Sequence, residues 1–178
     1  MRATCALLGL AMGWLAVPSA GAQQKTHCQN PFWPAFGKLS GRWSVEGWSR
    51  GDAGHDDTGR LVAVIRVNAA GCLVVEETGG GIGMRRQGFL YAMSFAGERA
   101  QRVYYDTTHA QFLLFTQAKA DPAILRFEWR QEANGRSFVS RSDIRLISPT
   151  AFRLDQYLST DAGTNWTHVQ QWRYRRAR

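Results

Sequence analysis

Leu125-Arg126-Phe127-Glu128-Trp129-Arg130 carries apolar residues at its odd positions and charged ones at its even positions. Further along, Phe152-Arg153-Leu154-Asp155-Gln156-Tyr157-Leu158 is mostly apolar at its even positions. An extended strand points successive side chains to opposite faces, so this period of two marks strands with one dry face and one wet face. Between the two stretches, Asn134-Gly135 is a hairpin signal, because both residues accept positive φ. It joins strand candidates at 124–131 and 136–147, and 151–159 follows. Outward from there, strand-like segments occupy 43–49, 60–67, 72–78, 86–95, 100–106, 111–117 and 166–175, separated by turn residues and rich in β-branched and aromatic side chains. No long helical pattern occurs after residue 40. So many antiparallel strands in one domain close on themselves to avoid exposed edges. The expectation is an all-β fold, an antiparallel up-and-down barrel of about ten strands. Residues 31–39 form a short N-terminal helical plug in this reading, with Phe32, Trp33 and Phe36 packing inward.

The N-terminus has a different character. Arg2 precedes an uncharged Ala-, Leu- and Gly-rich stretch over 3–17, followed by Pro18-Ser19-Ala20-Gly21-Ala22. A basic start, a short apolar core and an A-x-A site form an export signal, so residues 1–22 are expected to be removed. The apolar core is shorter than the ~20 residues a membrane-spanning helix needs. Residues 23–178 then form a single domain, periplasmic or extracellular, with no transmembrane segment after cleavage. Cleavage removes Cys5 and leaves Cys28 and Cys72, which an oxidising compartment would join as a disulfide. The formal charge of the whole chain is +8, and only Arg2 is lost with the leader. That balance attracts anions. Export excludes intracellular nucleic acid as the natural partner and leaves an anionic envelope component open.

Gly41-Arg42-Trp43 opens the first strand just after the plug. This Gly-x-Trp resembles that of the lipocalin-like (calycin) barrels. The resemblance implies a structural Trp43 at the closed end, covered by a basic residue from near the last strand, here Arg173 or Arg175. Ser159-Thr160-Asp161-Ala162-Gly163-Thr164-Asn165-Trp166 matches most of an Asp-box, S-x-D-x-G-x-T-W, with Asn165 in place of the Thr. One copy reads as a hairpin staple: Asp161 accepts backbone N–H groups, Gly163 allows positive φ and Trp166 anchors the next strand. A sialidase propeller needs several blades and a far longer chain.

A wider set of residues resembles a family of bacterial exported proteins of unknown function that share a calycin-like barrel. The set comprises Leu39 to Trp43, Gly71-Cys72-Leu73-Val74-Val75-Glu76, Tyr105-Asp106, the Ser159-to-Trp166 turn and Tyr174-Arg175, and spans roughly residues 36–175. The family implies the fold and no reaction. One departure is the glycine run Gly79 to Gly83, where the family is polar-aromatic. The run lacks the ending of a phosphate loop and reads as a flexible connection. Asp52, His55, Asp56 and Asp57 read as a solvated loop with no EF-hand spacing.

His27, His55, His109 and His168 show no metal-ligand spacing, and no nucleophile elbow is present. No metal, cofactor or catalytic set is expected. His168 alternates with Trp166, Gln170, Trp172 and Tyr174. If that face lines the barrel, Glu76, Gln156, His168, Gln170 and Trp172 are the candidate pocket residues for a small apolar ligand, and haem, as in some related barrels, is a second possibility. A hydrogen-bonded core histidine is the plainer alternative. The leading expectation is a non-enzymatic ligand-binding barrel. Its rivals are an envelope hydrolase or isomerase using His168 or Glu76 as base, and a basic protein of the envelope surface. The tail Arg173, Arg175, Arg176 and Arg178 bears on the last, although a solvated chain end is the commoner outcome.

Overall fold

The structure is a computed structural model that describes residues 28–51, 54, 56–82, 85–106, 111–118, 123–133 and 135–178, with the backbone alone at 85–87, 111 and 133. The expected export signal, His27, Asp52, His55 and His109 lie outside the described residues. After a one-turn helix α1 (Trp33–Phe36) come ten strands: β1 (Gly41–Arg50), β2 (Asp56–Asn68), β3 (Leu73–Ile82), β4 (Arg85–Ser94), β5 (Gln101–Asp106), β6 (Gln111–Gln117), β7 (Leu125–Ala133), β8 (Arg136–Ser148), β9 (Ala151–Ser159) and β10 (Thr167–Arg176). Each is antiparallel to its neighbours in sequence, and β1 pairs with β10 to close the barrel. The expected fold class is the observed one.

Two segments read as loops are strand. Gly79, Gly80 and Gly81 belong to β3, opposite Val62, Leu61 and Arg60 of β2 and Gly88, Gln87 and Arg86 of β4. At Gly80 the bare backbone has a steric reason, whereas a side chain on Gly79 would have room. A Cβ on Gly80 would lie 2.9 Å from Leu61 Cα and 2.7 Å from Arg60 O, so the sheet is too closely wound there for a side chain. Asp56 and Asp57 likewise start β2, opposite Arg50 and Ser49, and Asp56 pairs with Arg50 at 3.4 Å.

The barrel has a plugged end. Phe36 packs on Phe95 at 5.3 Å between ring centroids and Trp33 on the same ring at 5.7 Å. Phe36, Leu39, Trp43 and Phe95 are buried. Asn30, also buried, donates to Glu98 O at 2.9 Å and to Gln117 Oε1 at 2.6 Å, which ties the plug to the β5–β6 rim. The Cys28–Cys72 disulfide joins the same segment to the start of β3, with the two Cα atoms 5.6 Å apart.

Trp43 sits where the Gly-x-Trp pattern puts it, fully buried, its Nε1 donating to Leu39 O at 2.9 Å. Its cover is Arg176, not Arg173 or Arg175. The Arg176 guanidinium carbon lies 4.9 Å from the Trp43 ring, and its nitrogens donate to Ser40 O and Lys38 O at 2.8 Å each. Strand parity explains the difference: Tyr174 points inward, so Arg173 and Arg175 point outward. Arg176, expected beyond the strand, is its last residue and pairs with Trp43.

The Ser159–Trp166 turn behaves as a staple. Asp161 accepts from the Asn165 backbone N–H at 2.9 Å, from Asn165 Nδ2 at 2.6 Å and from the Ser159 hydroxyl at 2.7 Å. These donors, the Asn165 backbone foremost, hold its carboxyl down to about 2. Asn165 thus serves the box in place of the usual Thr. Gly163 has φ +96°.

Candidate functional site

Inward-facing residues are the odd ones on β1, β2, β4, β6 and β7, the even ones on β3, β5, β8 and β9, and the even ones on β10 from Gln170 onward. Near the plug this set is apolar: Trp43, Val45, Ile65, Val74, Phe152 and Leu154 are all buried. Polar groups begin higher up. Glu76 is 3% exposed, and its Oε1 accepts from Thr78 Oγ1 at 2.6 Å and from the Tyr174 hydroxyl at 2.7 Å. Burial pushes the Glu76 carboxyl up from its ordinary value, against the pull of those two bonds and of the Arg102 charge.

Above this layer, towards the unplugged end, lies a chamber of about 200 Å3 lined by Ser49, Phe89, Tyr91, Arg102, Tyr104, Asp106, Phe115, Ser142, Gln156 and Gln170. β4 and β5 supply its aromatic wall: the Tyr91 and Tyr104 rings lie 5.1 Å apart, and Phe89 is 5.7 Å from Tyr104. The facing strands β8, β9 and β10 supply amides and a hydroxyl. Arg102 is 3% exposed, its guanidinium carbon 4.0 Å from the Tyr91 centroid, and its Nε has no hydrogen-bond partner. Burial pushes the Tyr91 hydroxyl up to about 12. Tyr104 is also raised, by burial first and then by the neighbouring Tyr91 and Asp106, so both phenols are neutral donors at physiological pH.

The residues singled out from sequence divide among four places. Gln156 and Gln170 are register partners and both line the chamber. Trp172, 2% exposed, packs in the core opposite Gly47, and Glu76 lies below the chamber in its own hydrogen bonds.

His168 does not face the interior. The β9–β10 register shifts between His168 and Gln170, and this bulge turns His168 outward, opposite Tyr157. A bulge places one extra residue in a strand and reverses the facing of everything beyond it. On the outer wall His168 stacks on Tyr157 at 4.7 Å and meets Trp48 edge-on at 4.9 Å. Its Nε2 is 3.3 Å from Asp155 Oδ1 but off the line of a hydrogen bond. The two candidate bases, His168 and Glu76, are therefore on opposite sides of the barrel wall. Haem fits poorly too, since the chamber is smaller than a tetrapyrrole and the one histidine among the described residues faces away from it.

Arg102, Tyr91 and Tyr104 escaped the sequence reading, and Asp106 entered it only as part of the Tyr105-Asp106 pair of the resemblance. The segment Gln101-Arg102-Val103-Tyr104-Tyr105-Asp106 alternates only in part, with charged or phenolic residues at 102, 104 and 106 but a second tyrosine at 105. Periodicity shows that these share a face but not which face is buried, and an arginine ordinarily argues for the wet one.

No family model matches the chain, and no curated protein matches it. Solved structures resemble it in shape. The crystal structure of Rv2717c from M. tuberculosis superposes with a TM-score of 0.54 at 9% identity, covering 83% of this chain and 98% of that one. EF1p2_mFAP2b bound to DFHBI gives 0.47 at 11% identity, covering 82% and 99%. The S-type phycobiliprotein lyase CPES from Guillardia theta gives 0.48 at 10%, covering 80% and 90%. At 9% identity the likeness to Rv2717c is one of fold alone, that of a closed antiparallel β-barrel.

Proposed function

We propose that this is an exported, non-enzymatic binding protein whose barrel holds one small molecule in the chamber at its unplugged end. The observation that carries the reading is the chamber itself, with four aromatic rings on one side and Ser142, Gln156 and Gln170 on the other. Rings facing placed polar groups can hold and orient a small ligand, and here the polar groups make up the larger part of the lining. Its 200 Å3 falls below the ~300–1,000 Å3 of sites for drug-sized ligands, so the ligand is of fragment size. The lining changes the expected chemistry from largely apolar to an aromatic or planar body with polar ends. The non-enzymatic part is supported by the separation of His168 from the interior and by the bonds that occupy Glu76. Native mass spectrometry of protein taken from its own host tests the reading: a bound small molecule is expected, and an empty barrel that also refuses fragments would contradict it.

Export is supported by the leader pattern at 1–22 and by the Cys28–Cys72 disulfide. No helix among the described residues is long and apolar enough to cross a membrane. N-terminal sequencing of the protein from fractionated cells is expected to start at Gln23; an intact Met1 in the cytosolic fraction would overturn this.

One observation favours a second reading, a basic surface for an anionic envelope component. Arg145, Arg153 and Arg173 are direct register partners across β8, β9 and β10 on the outer wall. Like charges placed opposite one another destabilise a sheet. Arg153 is offset by Asp155 at 2.7 Å, whereas Arg145 and Arg173 are exposed. Binding to lipopolysaccharide that weakens steeply with salt is the expected result; absent or salt-independent binding removes this reading.

A further inference from the structure

Arg102 is an anomaly in the barrel interior. A charged side chain removed from water is costly unless it is paired and hydrogen-bonded. Here the guanidinium carbon stands over Tyr91 at 4.0 Å, with the Phe115 and Phe127 centroids at 5.8 and 6.0 Å. The rings supply some cation–π attraction. They leave the Nε proton without an acceptor, in a side chain that lines the chamber.

The carboxylates nearby are engaged elsewhere. Glu76 takes the hydroxyls of Thr78 and Tyr174 on one oxygen, and burial favours its uncharged form. Asp106, nearer the rim on the same strand face, is hydrogen-bonded to Tyr104. The guanidinium has the Tyr91 hydroxyl as a hydrogen-bond partner and one unpaired donor at Nε, so the chamber floor presents a planar cation, the walls are aromatic, and the neutral amides of Gln156 and Gln170 stand opposite.

We infer that the chamber selects a small planar acid, with its carboxylate seated on Arg102 and its ring between Phe89, Tyr104 and Phe115. This rests on the chamber reading above and names the ligand class. A carboxylate matches the fork of guanidinium donors, and such charge-assisted pairs are roughly twice as strong as neutral hydrogen bonds. Placing it there gives the buried guanidinium a charged partner beside the Tyr91 hydroxyl.

The test is calorimetric titration of the purified protein with three probes of one shape: benzoate, benzamide and benzylammonium. Benzoate is expected to bind at least ~10-fold more tightly than benzamide, as loss of one charge-assisted bond requires, with benzylammonium weakest. Arg102→Met is expected to abolish the preference and Arg102→Lys to keep part of it. If burial makes both variants fold poorly, the wild-type comparison still decides. Benzamide or benzylammonium binding as tightly as benzoate would overturn the acid selectivity while leaving the chamber reading standing. Failure of all three to bind would overturn both.

Discussion

Tyr174 of β10 and Glu76 of β3 meet across the barrel interior, the phenol donating to Glu76 Oε1 at 2.7 Å. Because Thr78 donates to the same oxygen, one carboxyl oxygen accepts from two strands. Glu76→Gln keeps an acceptor in that place, whereas Glu76→Ala leaves two buried hydroxyls unsatisfied. The alanine variant is expected to lose ~2–4 kcal/mol in denaturant unfolding, and the glutamine variant is expected to be at least as stable as the parent at pH 7. The folded carboxyl titrates above its ordinary value of 4.5, so the folded state holds the proton more tightly than the unfolded chain does. Its contribution is present below pH 4.5 and declines as pH rises through the folded value. Wild type should lose stability relative to Glu76→Gln as pH rises above 4.5; parallel curves would contradict this.

Gly47 carries a packing prediction. A Cβ there would lie 1.9 Å from Gln171 O and 2.6 Å from Trp172 Cε3, so Gly47→Ala must push β1 away from β10 at the seam that closes the barrel. A loss of ~3 kcal/mol or more is expected, at the upper end for overpacked cores. Chemical denaturation checks it, and a variant within ~0.5 kcal/mol of wild type would mean that the seam is looser than the structure indicates.

The alternation that announces the strands also shows why the barrel was legible in the sequence and the site only in part. Leu125-Arg126-Phe127 and Phe152-Arg153-Leu154 report their faces directly, because one side of each strand is apolar. Gln156 and Gln170 could be placed by counting along such strands. His168 could not, because the bulge that turns it outward leaves no mark in composition. Nor could Arg102, whose burial depends on rings brought by β4, β6 and β7. The Gly79–Gly81 run misleads for a related reason: glycine signals a loop locally, and here close approach of neighbouring backbone demands it at Gly80 within a strand.

His168→Ala tests the outward placement. The substitution removes ring contacts with Tyr157 and Trp48, each worth ~0.5–1.5 kcal/mol. Stability is expected to fall by ~1–2 kcal/mol, with ligand affinity unchanged. Lost binding in a fully folded variant would place the imidazole back at the site.

The Cys28–Cys72 link closes a sequence separation of 44 residues. In the chain-entropy model this contributes ~4 kcal/mol. Melting with and without reductant is expected to show a large drop on reduction, and tryptophan fluorescence should report Trp33 loosening with the plug segment. Superimposable melts would show that the plug holds without the bond.

The central claim is that the chamber, and not the outer wall, holds the ligand. A two-dimensional NMR titration of the labelled protein with benzoate tests it most directly. Saturable shifts are expected at Tyr104, Ser142, Gln156 and Gln170, with Trp48 and His168 left in place. Shifts confined to the outer-wall residues, or none at millimolar probe, would contradict it.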